Sequence, residues 1–213
     1  ALISVDEAIK SILSDLPTTS TETISIFDAV GRVLAQKVIS KINQPPFSSS
    51  AMDGYAISDK MPKVGSHYRI IGEASAGKTF NEEIGNAEAV RIFTGAPIPK
   101  GTQKVVIQEN IKRSGETVKI ISDDNSNYYI RPQGCDYQSG TSIKPNIILD
   151  ASTLALIASM NISSVAVYKK PTVAIITTGN ELIMPGERLE KGKIVSSNSV
   201  GVSARLLLNG ANT

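Results

Sequence analysis

A chain of 213 residues that is 41% hydrophobic and 20% charged can bury a sizeable core, with room for one domain or two. Its 22 basic and 20 acidic side chains leave a formal charge of +2, and no basic run exceeds two residues (Lys169-Lys170), which excludes a polyanion-binding or membrane-surface footprint. One cysteine, Cys135, and one histidine, His67, exclude an intrachain disulfide, a cysteine-rich metal site and a histidine metal cluster, so any chemistry rests on carboxylates, hydroxyls, backbone amides and Lys or Arg.

Ser4-Val5-Asp6-Glu7 is an S-x-x-E capping box that opens a helix. Ile9, Ile12, Leu13 and Leu16 form its apolar stripe, expected to serve packing, and Pro17 ends it. A β-rich alternation follows over 23–27. Asp28 then caps a short expected helix over 29–35, and 38–40 reads as a strand.

The stretch QPPFSSSAMDGYAI at 44–57 interrupts this pattern. Pro45 and Pro46 fix two φ angles and remove two donors, so no helix or central strand passes through them. Small hydroxyl residues follow, and Asp53-Gly54 reads as a turn in which Gly54 takes a positive φ. The stretch is either a proline-rich crossing closed by an ordinary turn or one wall of a polar site.

From 55 to about 148, strand-length apolar runs at 68–71, 89–93, 104–108, 117–121 and 128–131 alternate with glycine-bearing breaks. This spacing predicts a compact β domain inserted into the first one, with a polar loop at 123–127. Asp150 caps a helix through Met160, and Asn161 is its left-handed terminator. A strand over 165–168 precedes Pro171. The apolar run 172–177 predicts a strand buried on both faces, with the loop 178–181 at its C-terminal end. Ser197 or Asn198 caps a last helix through Leu208, ended by Asn209-Gly210. A buried strand followed by a helix is the first half of a βαβ unit, so the chain is expected to be a fragment cut inside its last domain.

Four loops combine a hinge with a polar side chain. They are Ser50-Ala51-Met52-Asp53-Gly54-Tyr55, Phe93-Thr94-Gly95-Ala96-Pro97, Arg131-Pro132-Gln133-Gly134-Cys135-Asp136 and Thr177-Thr178-Gly179-Asn180-Glu181. Each has a plain structural reading: a turn, a strand-ending Gly-Pro loop, a surface ion pair in a hairpin, a capped solvent loop. Each also has a chemical one. The last loop follows an expected parallel strand, where open α/β sheets bind ligands.

In this order, FSSSAMDGYA, RIFTGAPIPKG, IRPQGCDYQSG, TTGNEL and KIVSSN, together with GRVLA at 31–35, resemble the molybdopterin molybdenumtransferase family, which includes the bacterial MoeA proteins and the E domain of gephyrin. The resemblance implies a multidomain α+β chain. An elongated mixed domain (1–44 and 141–170) carries an inserted β-rich domain (45–140), and 171–213 starts an α/β/α three-layer domain. It implies molybdenum cofactor biosynthesis: insertion of molybdenum from molybdate into adenylylated molybdopterin with release of AMP, assisted by Mg²⁺, in a cytoplasmic homodimer that can meet the adenylyltransferase supplying its substrate. The family's later motifs are absent from the chain, which implies that these residues alone are inactive.

By the same resemblance Asp53, Thr94 and Glu181 are the expected catalytic residues, and Ser50, Gly95, Arg131, Asp136 and Asn180 the expected substrate contacts. The metal ligands are left open. Carboxylates can hold Mg²⁺ or orient a water, Thr94 and backbone amides can donate to oxyanion oxygens, and Arg131 can hold phosphate. Ser48 and Ser49 stand where many members carry an acid and Asn, Cys135 where others carry Glu or His, and Ser196-Ser197-Asn198 where others carry Asp-Ser-Asn. The competing function is a non-catalytic dimeric scaffold or binding module of the gephyrin E-domain type.

Overall fold

The computed structural model describes residues 3–14, 16–122 and 126–213, so part of the polar loop expected at 123–127 lies outside the described residues. The fold is mixed α+β and mostly sheet. Its elements in order are α1 (Val5–Ser14), β1 (Thr21–Ser25), a 3₁₀ turn (Ile26–Asp28), β2 (Val38–Ile39), β3 (Ser49–Ser50), β4 (Gly54–Ile57), β5 (His67–Ala74), β6 (Glu88–Ile92) and β7 (Lys104–Ile107). A second 3₁₀ turn (Gln108–Asn110), β8 (Ile111–Ser114), β9 (Thr117–Ile120), β10 (Ile130–Arg131) and β11 (Ser142–Ile143) follow. The chain ends through α2 (Ala151–Ser159), β12 (Ser164–Tyr168), β13 (Leu182–Ile183), β14 (Ile194–Val195) and α3 (Ser197–Leu208). The chain forms two compact units, Ile39–Ser142 and Ala1–Val38 with Ile143–Thr213.

In the first unit, six strands form one sheet in the order β7-β4-β6-β5-β9-β8. β5 and β6 run parallel, and the other neighbours are antiparallel. Every residue of β4 is buried, because the sheet is covered on both faces. The period of two sends Tyr55 and Ile57 to a cluster with Val106, Val118 and Ile120. Ala56 goes to the opposite face, with Val90, Ile92 and Val105.

Four of the five expected strands are present with ends shifted by a residue or a few. The fifth shrinks to β10, and β3 and β8 were not expected. Gly54 requires a correction. It does not take a positive φ; it lies in β4, and a Cβ there would sit 2.1 Å from the Val106 carbonyl oxygen. The glycine is needed for close approach of backbone, not for a turn.

In the second unit, β1 and β12 pair antiparallel from Thr21↔Tyr168 to Ser25↔Ser164. β1 ends early because the Ser25 hydroxyl accepts from the Phe27 amide and turns the chain into the 3₁₀ segment. The helix expected over 29–35 is absent. Gly31, at φ +73°, turns the chain, and Val33 and Leu34 bridge to Ile148 and Val167. Pairing with neighbouring backbone outweighs the local helical pattern there, and Leu34 becomes fully buried with Ala29, Leu149, Ile157 and Val167. The Asp150 carboxylate caps α2 by accepting from the Thr153 amide at 2.7 Å. Asn161, at φ +59°, ends it as expected.

The capping box of α1 closes as read, with the Glu7 amide donating to Ser4 Oγ at 3.2 Å and the Ser4 amide to Glu7 Oε2 at 2.9 Å. Its stripe does not pack: no residue of α1 is buried, and Ile12 is 66% exposed. The apolar spacing was legible, but among the described residues nothing covers it. The run 172–177 is likewise not a buried strand. Thr172 alone bridges, to Asn212, and Ile176 is 84% exposed. An apolar run becomes a strand only where neighbouring backbone satisfies its ladder, and 212 is the neighbour it finds here. The cap of α3 is Ser196 rather than Ser197 or Asn198, and Gly210 follows the helix at φ +86°. No described helix is long and apolar enough to cross a membrane.

Candidate functional site

The site in the first unit is built around the two-residue strand β3. The Ser50 amide donates to the Ala96 carbonyl and the Gly95 amide to the Ser50 carbonyl, both at 2.9 Å. On its other side β3 pairs with β10, Ser50 opposite Ile130 and Ser49 opposite Arg131. Small side chains suit a strand held between two others, and Ser50 is 2% exposed. Its hydroxyl donates to the Met52 carbonyl at 2.6 Å and shapes the approach to Asp53.

Asp53 is then fixed from two directions. Its carbonyl accepts from the Gln108 amide at 3.1 Å. Its Oδ1 accepts both the Thr94 amide and the Thr94 hydroxyl, each at 2.8 Å. These bonds favour the charged form, so they hold the carboxyl below its ordinary value of 3.8. The Thr94 amide is the largest cause, the hydroxyl the next, and the nearby Arg91 charge adds to both. Gly95, at φ +82°, makes the turn that aims the Thr94 amide inward. The single hydroxyl proton of Thr94 is directed to Asp53 here and holds the carboxylate. Both bonds use Oδ1, and among the described residues no hydrogen bond is made to Oδ2.

Arg131 and Asp136 meet as the third loop predicted, with Arg131 Nη2 at 2.6 Å from each Asp136 oxygen. Both side chains are substantially exposed. The contact raises the Arg131 pKa further, chiefly through the Asp136 hydrogen bond. Gly134, at φ +70°, turns the loop, and the Gln133 amide donates to Ser48 Oγ at 3.1 Å. Asp53, Thr94, Gly95, Ser50, Arg131 and Asp136 are thus joined through one set of backbone and side-chain bonds. Asn180 and Glu181 belong to the other unit. There the Ile194 amide donates to the Glu181 carbonyl at 2.8 Å and Lys193 Nζ to the Asn180 carbonyl at 2.6 Å.

Among the described residues no three His, Cys, Asp or Glu side chains gather closely enough to hold a metal ion. Two contributors escaped the sequence reading. Arg91 opens the RIFTGAPIPKG motif without a role assigned to it, and Gln108 lies in none of the motifs; both flank Asp53 because β4 pairs with β6 and β7.

The match to proteins already characterised is broad. Residues 3–161 match the family described as MoeA N-terminal region (domain I and II). The chain is 35% identical over 210 residues to a molybdopterin molybdenumtransferase of Haemophilus influenzae, covering 97% of this chain and 52% of that protein. A protein of the same name from a Nostoc species is 34% identical, covering 90% and 45%. The crystal structure of the molybdopterin biosynthesis moeA protein from Pyrococcus horikoshii OT3 superposes with a TM-score of 0.90 at 32% identity, over 100% of this chain and 58% of that one. The chain spans about half the length of the curated relatives it matches. With its two central motifs, AMDGY and FTGAP, closing on a single carboxylate, the chain belongs to the MoeA N-terminal region (domain I and II) family.

Proposed function

We propose that this chain forms part of the site of a molybdenum cofactor biosynthesis enzyme that inserts molybdenum from molybdate into adenylylated molybdopterin and releases AMP. The observation that carries the reading is the Asp53–Thr94 contact. Two motifs 41 residues apart meet there to keep one carboxylate ionised, and curated relatives carry the name molybdopterin molybdenumtransferase. Asp53 Oδ2 accepts a proton or orients the attacking oxygen, and Thr94 keeps the carboxylate charged and aimed. Arg131, its charge shared with Asp136, faces anionic phosphate oxygens. Ser50 and Gly95 shape the floor. Glu181 is the third catalytic residue, and Asn180 contacts substrate beside it.

Mg²⁺ commonly binds through one or two carboxylates plus substrate phosphates. Asp53 Oδ2 fits that limited role, in which the ion would neutralise phosphate charge, but the described residues build no all-protein site. The proposal extends to a cytoplasmic homodimer that meets an adenylyltransferase and to the division 1–44, 45–140, 141–170 and 171–213. It also includes the inactivity of these residues without the rest of the protein.

The test is molybdenum insertion by the full-length protein, supplied with adenylylated molybdopterin and molybdate. Asp53→Ala is expected to lower turnover roughly 10²–10⁴-fold with unchanged folding. Wild-type turnover in that variant would overturn the reading.

A further inference from the structure

We infer that Arg91 is the positioning residue of the Asp53 site, acting as a clamp between the strands that carry and face that carboxylate; the inference rests on the function just proposed. Arg91 lies opposite Tyr55 in the β4–β6 register. Its guanidinium sits 5.1 Å from the Tyr55 ring centroid and 4.6 Å from that of Phe93. Both aromatics share its sheet face: Tyr55 as its cross-strand partner, and Phe93 two residues along the chain. The stacked planar cation is thereby held in orientation.

From that position Nη1 donates to the Gly54 carbonyl at 3.2 Å and Nη2 to Gln108 Oε1 at 2.7 Å. Each contact lies next to Asp53. Gly54 is its chain neighbour, and the Gln108 amide donates to the Asp53 carbonyl at 3.1 Å. Phe93 immediately precedes Thr94, whose amide and hydroxyl hold Asp53 Oδ1. One guanidinium therefore spans β4, β6 and the end of β7, the three segments whose relative placement sets the Asp53–Thr94 contact.

The geometry suits arginine specifically. Two acceptors on different segments, β4 and the 3₁₀ turn after β7, are met by separate nitrogens of one rigid fork, while the ring faces take its plane. Lysine keeps the charge but presents a single ammonium on a flexible stem and cannot hold both acceptors and the stack. The other charged and titratable groups near this corner include Tyr55, from β4, Glu73, the register partner of Arg91 on β5, and Glu109, whose Oε1 accepts from Gln108 Nε2 at 3.2 Å. Among the described residues the hydrogen bonds of Arg91 go to Gly54 and Gln108 rather than to the Asp53 carboxylate, so its positioning role is exerted through those neighbours of Asp53.

The test compares full-length wild type, Arg91→Lys and Arg91→Met by amide hydrogen exchange and by ¹³C NMR titration of the Asp53 carboxyl. Arg91→Met is expected to speed exchange at the Thr94 amide about tenfold or more and to move the Asp53 midpoint upward. Arg91→Lys should keep most of the charge effect but lose much of the Thr94 protection, and the amides of β4, β6 and β7 should stay protected in both. A uniform loss of protection across those strands would mean that Arg91 is only a strut of the sheet, and an unchanged Thr94 amide would also overturn the inference. If Arg91→Met fails to fold, Gln108→Leu removes one anchor and should give the same Thr94 change in milder form; its absence counts against the clamp. In the insertion assay kcat should fall with KM nearly constant. Full turnover in Asp53→Ala would sink the proposed function while leaving the exchange result to judge Arg91 separately.

Discussion

Thr94 gives both its amide and its hydroxyl to the same oxygen of Asp53, each at 2.8 Å. The carboxyl is held below its ordinary value of 3.8 by these bonds. A carboxyl with a depressed folded pKa contributes stability that is fully present above its unfolded value and lost as pH falls through the folded one. Thr94→Val keeps the amide bond and removes the hydroxyl bond. Its Asp53 midpoint, followed by ¹³C NMR, should rise part of the way towards 3.8. A midpoint equal to the wild type would show that the hydroxyl contributes nothing.

Gly54→Ala should be severely disruptive. Its Cβ would lie 2.1 Å from the Val106 carbonyl oxygen and 3.0 Å from the Ile107 Cα, both backbone atoms that cannot rotate away. Separation of β4 from β7 would open the core around Tyr55 and Val106. Loss of the cooperative thermal transition, or a large fall in its midpoint, is expected. Normal stability in the variant would contradict this strand pairing.

Ile157→Ala should lower global stability by about 2–5 kcal/mol, since Ile157 is fully buried against the core beneath α2. Denaturant titration reads this directly. A change under about 0.5 kcal/mol would mean that α2 does not bury that face.

Ser4→Ala should cost roughly 1 kcal/mol of helix stability, but in a local way. Because α1 has no buried residue, its fraying is expected in the amide exchange of 5–14, with little change in global thermal midpoint. The Glu7 carboxyl is held below its ordinary value of 4.5 by the Ser4 amide first and the Ser4 hydroxyl second. The cap is therefore complete above that pH and weakens as acid protonates Glu7. Exchange rates of α1 that ignored both the substitution and pH 3 would remove the capping box.

Much of this was legible in the sequence because it depends on neighbours a few residues apart. The Ser4–Glu7 box, the Asp150 cap, the Asn161 terminator and the Arg131–Asp136 pair across Gly134 all follow from local geometry. Strand-length apolar runs between glycine-bearing breaks likewise revealed most strands of the large sheet. Family membership was legible too, since several short motifs in a fixed order are specific even where each alone is a common turn.

The tertiary structure decided what local pattern leaves open. The run 29–35 has helical spacing, yet the backbone of 148 and 167 takes Val33 and Leu34 into bridges. The stripe of α1 and the run 172–177 have core-like composition but remain exposed, because burial depends on a covering surface and not on the segment. Gly54 was read as a turn glycine, and its need turned out to be the carbonyl of Val106, 52 residues away. Arg91 opens the RIFTGAPIPKG motif, but nothing local gave it a role. Its place beside Asp53 comes from strand register, which brings Tyr55, Gln108 and Phe93 around one guanidinium. Sequence specifies the chemistry each residue can offer, while register determines which residues can act on the same carboxylate.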